Sequence, residues 1–270
     1  MLELKCREQA ETVPQTKTMR GRQIDRAVYE LYNLNGDEIK GIGGKMNNQV
    51  MTGNCFLCGE ELTKIKMKNH VLKSHLSAQK GEKVLLIKVE GAYQKEYWLL
   101  LDIAFNAKLV DLDDFLRQIW LECCGHMSGF FPPVDSWGRD EFAMNTKIKA
   151  FANGAKLLYR YDFGSTTTLM VTVLDDSMRP PQKDAVRLLA RNVPPDIKCV
   201  KCGKPAECFC TECDCEHGSE NAYYCEECYE IHDCPDKEYT LPITNSPRTC
   251  VCGYDGELDI WKFDPAKIKR

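Results

Sequence analysis

The residues of this 270-residue chain best suited to chemistry are Cys55-x2-Cys58 with His70-x4-His75, and then Cys199-x2-Cys202, Cys210-x2-Cys213, Cys225-x2-Cys228 and His232-x-Cys234. Two soft ligands two residues apart can close on one tetrahedral ion, so the pattern reads as zinc held in two separate regions. The first region is expected to use Cys55, Cys58, His70 and His75, its histidines one helical turn apart and facing the same way. A catalytic zinc keeps three protein ligands and a water, whereas these sets offer a full four and are rich in thiolate. We therefore expect about three structural zinc ions and no enzymatic activity.

Charge divides the two regions. The net charge is −4, but Leu62 to His75 contains Lys64, Lys66, Lys68 and Lys73 and no acid. From Pro205 to Thr240 there are eleven acids against the single Lys237. The basic stretch is expected to contact nucleic acid through those four lysines, and the acidic one to dock a protein, since it would repel a phosphate backbone. A pure protein-protein adaptor, with the lysines only solvating a small domain, is the alternative. Sixteen cysteines without a signal-peptide pattern point to a reducing cytoplasm, and no run reaches the roughly 20 apolar residues of a membrane span.

The elements that must position these residues fall into five segments. Residues 1–52 read as an arm with one short helix over Gln23–Leu34, and 53–78 as a zinc finger. Residues 82–193 alone can build a large core, giving an α+β class. Strands are expected at Lys83–Val89, Tyr97–Phe105, Lys156–Phe163 and Thr166–Leu174, with a last strand or short helix from Val186. Leu112, Phe115, Leu116, Ile119 and Trp120 recur at helical steps behind Asp111, a credible N-cap. Pro194-Pro195 marks a linker. The cysteine-rich stretch 197–256 has too little apolar surface to fold without metal, and 257–270 is a tail.

Cys55-Phe-Leu-Cys58, an eleven-residue spacer and His70-x4-His75 resemble the Cys2His2 finger, with Leu62 and Met67 near that family's two packing positions. The alternating carboxy-terminal pairs resemble cross-braced binuclear modules such as B-box and MYND domains. That resemblance implies one site of Cys199, Cys202, Cys225 and Cys228. The other would take Cys210 and Cys213 with two of His232, Cys234 and Cys252, and we favour His232 with Cys234. Cys208, Cys215, His217 and Cys250 are then surplus, although Cys215-x-His217 could replace a pair.

The central segment has its own resemblance. His126, Phe130 and Tyr161-Asp162-Phe163-Gly164, behind the helix Leu112–Trp120, look like the plasmid pRi open-reading-frame-three-like family, often labelled passenger proteins of insertion elements. Asn245-Ser246-Pro247-Arg248 with Cys252-Gly253-Tyr254 resembles the ending of some members. The family implies an α+β fold and an association with mobile elements, but no defined activity. Ser165, Thr167 and Leu169 stand where many members carry Asp, Trp and His. His126 and Asp162 are the one base-and-carboxylate pair that could serve an enzyme, with structural roles as the plainer reading. Cys123-Cys124 reads as a pair of buried thiols at a helix end.

Overall fold

A computed structural model describes residues 51–76, 80–133, 140–234, 239–256 and 258–268. The arm at 1–50, with its expected helix over Gln23–Leu34, lies outside them. Two compact units are present: one runs to Pro195 and resumes at Thr244, and the other is Asp196–Ile243. The fold is α+β. No helix among the described residues is long and apolar enough to cross a membrane.

The larger unit is built on an eight-stranded antiparallel sheet of order β2-β1-β8-β4-β3-β7-β6-β5. Its strands are β1 (Thr52–Cys55), β2 (Glu61–Thr63), β3 (Glu82–Gly91), β4 (Trp98–Ala104), β5 (Ser128–Phe131), β6 (Lys156–Tyr161), β7 (Thr167–Arg179) and β8 (Val186–Asn192). Apolar residues on both faces make β3 and β4 central. Leu85, Ile87, Val89, Leu99, Leu101 and Ile103 point one way, and Leu86, Trp98 and Leu100 the other, as the two-residue strand period requires.

A different helix covers each face. Helix α2 (Leu109–Leu116), continued by a π-helical turn over Arg117–Leu121, sets Leu112, Phe115, Leu116, Ile119 and Trp120 on the first face. It begins three residues before the sequence indicates. Asp111 lies inside its first turn, where Oδ2 accepts from the backbone N–H of Lys108 at 2.6 Å, so it reaches back to the cap instead of being the cap. Helix α1 (Lys64–Ser74) sets Met67 and Val71 on the second face, against Leu86, Trp98, Leu100, Leu189 and Ala190.

The finger expected as a separate domain at 53–78 is thus part of the central sheet. Strand β1 pairs with β8 (Gly53↔Asn192, Asn54↔Arg191, Cys55↔Ala190), and the β1–β2 hairpin extends that edge. Gly53 is needed there: a Cβ would meet the Arg191 carbonyl oxygen at 2.4 Å and the Trp98 ring at 2.5 Å. A finger of this size buries little by itself, and the sheet face supplies the core it lacks.

The smaller unit holds a three-stranded sheet of order β10-β9-β11, formed by β9 (Cys208–Cys210), β10 (Tyr223–Tyr224) and β11 (Thr240–Pro242). Short helices α3 (Thr211–His217) and α4 (Glu226–Glu230) flank it. The module read as 197–256 ends at Ile243. Residues from Thr244 pack in the larger unit, where Asn245 Nδ2 donates to the Asn192 carbonyl at 3.1 Å and Asn192 Nδ2 to Asn245 Oδ1 at 2.6 Å.

Candidate metal centres

Among the described residues four groups of cysteine and histidine side chains converge, each with its ligand atoms within 4.8 Å of one another: Cys55, Cys58, His70, His75; Cys199, Cys202, Cys225, Cys228; Cys210, Cys213, His232, Cys234; and Cys123, Cys124, His126, Cys252. Tetrahedral zinc with ordinary bond lengths sets edges of about 3.8 Å between sulfurs, about 3.5 Å from sulfur to nitrogen and about 3.3 Å between nitrogens. The side-chain spacings lie near that scale apart from Cys124 Sγ to His126 Nε2 at 2.9 Å, and these clusters are suited to zinc.

In the first cluster Cys55 Sγ lies 3.6 Å from His75 Nε2, Cys58 Sγ 3.3 Å from His70 Nε2, and the two Nε2 atoms 3.2 Å apart. On a continuous helix a five-residue step would turn the second histidine about 140° away from the first. Instead α1 ends at Ser74, and His75 leaves the helix at φ −129°, which swings its ring back. The expectation of two histidines on one helical face is corrected accordingly. Backbone N–H groups of Leu57 and Cys58 bond Cys55, and Gly59, at φ +82°, donates its N–H to the Cys55 carbonyl at 2.8 Å. His70 Nδ1 faces Glu60 Oε2 at 3.2 Å, an outer partner that would fix Nε2 as the ligand atom.

The same turn recurs at Cys199. Lys201 and Cys202 direct backbone N–H groups at its sulfur, and Gly203, at φ +73°, donates to the Cys199 carbonyl at 2.9 Å. Cys225 caps α4 and meets Cys202 at 3.6 Å, so first and third pairs share a site. Cys210 at the end of β9 meets Cys234 at 3.8 Å, and Cys213 in α3 meets His232 Nε2 at 3.2 Å, so second and fourth pairs share the other. The rings of Tyr224 and Tyr229 flank His232, with centroids 4.3 Å and 5.7 Å away. Cys208, Cys215, His217 and Cys250 lie outside the four groups.

Sequence reasoning missed the fourth cluster. It treated His126 as outside any metal group, Cys123 and Cys124 as buried, and Cys252 as a possible ligand of the carboxy-terminal module. Cys124 is exposed and Cys123 half-buried, and Cys252 joins them with His126. The available signal was the dense triplet Cys123-Cys124-x-His126 beside a surplus cysteine.

Around this cluster the tail is stitched to the sheet. Arg248 is fully buried and donates from Nη2 to Asp162 Oδ2 at 2.8 Å and to Cys123 Sγ at 3.5 Å, and from Nη1 to the Ser165 carbonyl and Thr167 Oγ1, both at 3.1 Å. Burial pushes the Asp162 carboxyl up, but Arg248 and the N–H groups of Gly164 and Ser165 outweigh it and hold it below its usual value. His126 Nε2 stands 3.6 Å from Asp162 Oδ2, beyond hydrogen-bond reach, and 2.9 Å from Cys124 Sγ. Asp162, Cys250 and Cys252 are the non-glycine residues with left-handed φ among the described ones, at 64°, 60° and 55°. Such conformations cost about 1–3 kcal/mol each and persist where surroundings impose them.

The four lysines read as a nucleic-acid surface divide. Lys64 pairs with Glu90 and donates to the Lys95 carbonyl at 3.0 Å, and Lys68 reaches the Leu174 carbonyl at 3.4 Å. Lys66 and Lys73 remain exposed, with Asn69 between them on the outer side of α1.

Fold and clusters together define an α+β protein carrying zinc-type cysteine and histidine sites. No known protein family matches the chain, and no curated protein does. Among solved structures it is similar to a protein of unknown function, MM3350, from Methanosarcina mazei Go1, with a TM-score of 0.36 and 18% identity over 46% of this chain and 76% of that one.

Proposed function

We propose that this is a non-enzymatic, cytoplasmic binding protein stapled by structural zinc, whose Asp196–Ile243 unit docks a basic protein segment. The observation that carries the reading is the surface of that unit. Glu216, Glu220, Glu226, Glu227 and Glu230 are exposed around two complete four-ligand clusters, and the aliphatic Ile231 is 84% exposed beside them. A partner segment with lysines or arginines around one apolar anchor complements this face. A full ligand set leaves no position for a reactive water, which supports a structural role for the metal.

The test is titration of zinc-loaded full-length protein with lysine-rich peptides containing one leucine, by fluorescence anisotropy. Tenfold or greater weakening in Glu226→Lys/Glu230→Lys is expected. Equal affinity in the charge-reversed protein overturns the reading.

A second reading is nucleic-acid contact by α1, supported by exposed Lys66 and Lys73. Met67 and Val71 bind the inner face of α1 to the sheet, so the contact proposed is to phosphates and not to base edges. Two phosphates neutralised give a logarithmic salt slope of about −2 on duplex DNA, which Lys66→Glu/Lys73→Glu abolishes. Absence of binding at low salt leaves a protein-protein adaptor. The mobile-element association enters through the family resemblance alone.

A further inference from the structure

We infer that Cys123, Cys124, His126 and Cys252 bind a further zinc ion that clasps the segment from Thr244 onward to the end of the central sheet. The cluster is drawn from two remote parts of the chain. Three ligands follow the π-helical turn that closes α2, and the fourth comes from the far side of the smaller unit in sequence.

Distances support one shared ion. Cys124 Sγ lies 3.6 Å from Cys123 Sγ and 3.7 Å from Cys252 Sγ, Cys252 Sγ is 3.6 Å from His126 Nε2, and Cys124 Sγ to His126 Nε2, at 2.9 Å, is the one short edge. The sulfur separations match two edges of a thiolate tetrahedron about zinc, and are far beyond the roughly 2.05 Å of a disulfide.

Both sides are held in place by contacts that do not use the ligand atoms. Ser246 Oγ donates to the Trp120 carbonyl at 2.7 Å, Trp120 Nε1 to the Asn245 carbonyl at 3.0 Å, and Tyr254 OH to the Ile119 carbonyl at 3.3 Å. On the other side Arg117 Nη2 donates to the His126 carbonyl at 2.8 Å. Cys250 and Cys252 are bent into left-handed backbone, which brings the Cys252 thiol in beside His126.

A nearby cation offsets part of the charge. Three thiolates on a divalent ion leave one net negative charge, and Asp162 adds a second beside it. The buried Arg248 guanidinium touches both Asp162 and Cys123. A thiolate-rich centre with an adjacent buried cation is a stable arrangement in a partly desolvated site.

The segment 123–126 is short and carries a left-handed Gly125, with no sheet or helix of its own to fix three ligand side chains. Metal supplies that constraint, and the proposed clasp differs from the other three clusters in lacking a Cys-x2-Cys turn.

The experiment is native mass spectrometry and elemental analysis of full-length protein purified under reducing conditions with zinc, followed by hydrogen exchange. Four zinc ions per chain are expected in the unaltered protein and in Cys250→Ser. Three are expected in Cys252→Ser and His126→Ala, with amide exchange in 244–256 at least tenfold faster. His126→Cys, which keeps a ligand, retains four and separates loss of metal from misfolding. Three ions in the unaltered protein, four in Cys252→Ser, or a disulfide within the cluster overturns the inference.

Discussion

Cys252 Sγ lies 3.7 Å from Cys124 Sγ although 128 positions separate them in the chain. Arg248, four residues before Cys252, helps to hold the tail there by bonding Asp162, the Ser165 carbonyl and Thr167 at the start of β7.

Arg248→Ala is expected to destabilise the larger unit by about 3–5 kcal/mol, because Asp162 would keep its charge without its buried partner. Arg248→Lys is expected to recover little, since one ammonium cannot reproduce the fork that reaches Asp162, Ser165 and Thr167 together. Urea unfolding of each variant checks this, and a midpoint unchanged in both counts against the assignment.

Gly53→Ala places a methyl group 2.4 Å from the Arg191 carbonyl oxygen, a backbone atom that cannot step aside without opening the β1–β8 ladder. A loss of about 1–3 kcal/mol is expected from such overpacking. Weaker zinc retention at Cys55, Cys58, His70 and His75 should accompany it, measured by competition with a colorimetric chelator.

Chelation should unfold Asp196–Ile243 while leaving the central sheet folded. The described aromatic core of the smaller unit is Phe209, Tyr223 and Tyr224, too little to offset chain entropy without its two metal clusters. Proton–nitrogen correlation spectra with excess chelator are expected to lose dispersion for residues 196–243 and to keep it for β3, β4, β7 and β8.

Acid should weaken the docking of α1 through Glu90. Burial pushes this carboxyl up, but hydrogen bonds from Lys64 and Lys88 outweigh it and hold it below its usual value of 4.5. A folded value below the unfolded one gives stability that is fully present above pH 4.5 and lost as pH falls through the folded value. The difference in urea midpoint between unaltered protein and Glu90→Gln should therefore be constant near neutrality and shrink below pH 4.5. A difference that stays constant down to pH 3 rejects the pair's role.

Much of this organisation was readable from residue types and local spacing. Cys-x2-Cys followed by glycine specifies a tight turn with N–H groups aimed at sulfur, a local event that needs no distant partner, and both Cys55 and Cys199 make it. The strands also follow from local pattern, since alternating Leu and Ile or Val in β3 and β4 must face two apolar layers. Helix α2 was legible as a helix, but its start was not, because Asp111 can serve equally as cap or as the first-turn acceptor for Lys108.

Composition and spacing by themselves therefore determined an α+β chain with paired thiol and imidazole ligands and two oppositely charged stretches. Tertiary structure alone decided that the finger hairpin joins the central sheet, that Lys64 and Lys68 are used internally, and that Cys252 leaves the carboxy-terminal module for Cys123, Cys124 and His126. The physical reason is range. A knuckle turn or a strand period is set by neighbours a few residues apart, whereas an edge pairing, a docked lysine or a cluster spanning 128 positions depends on which apolar surfaces find each other when the chain packs.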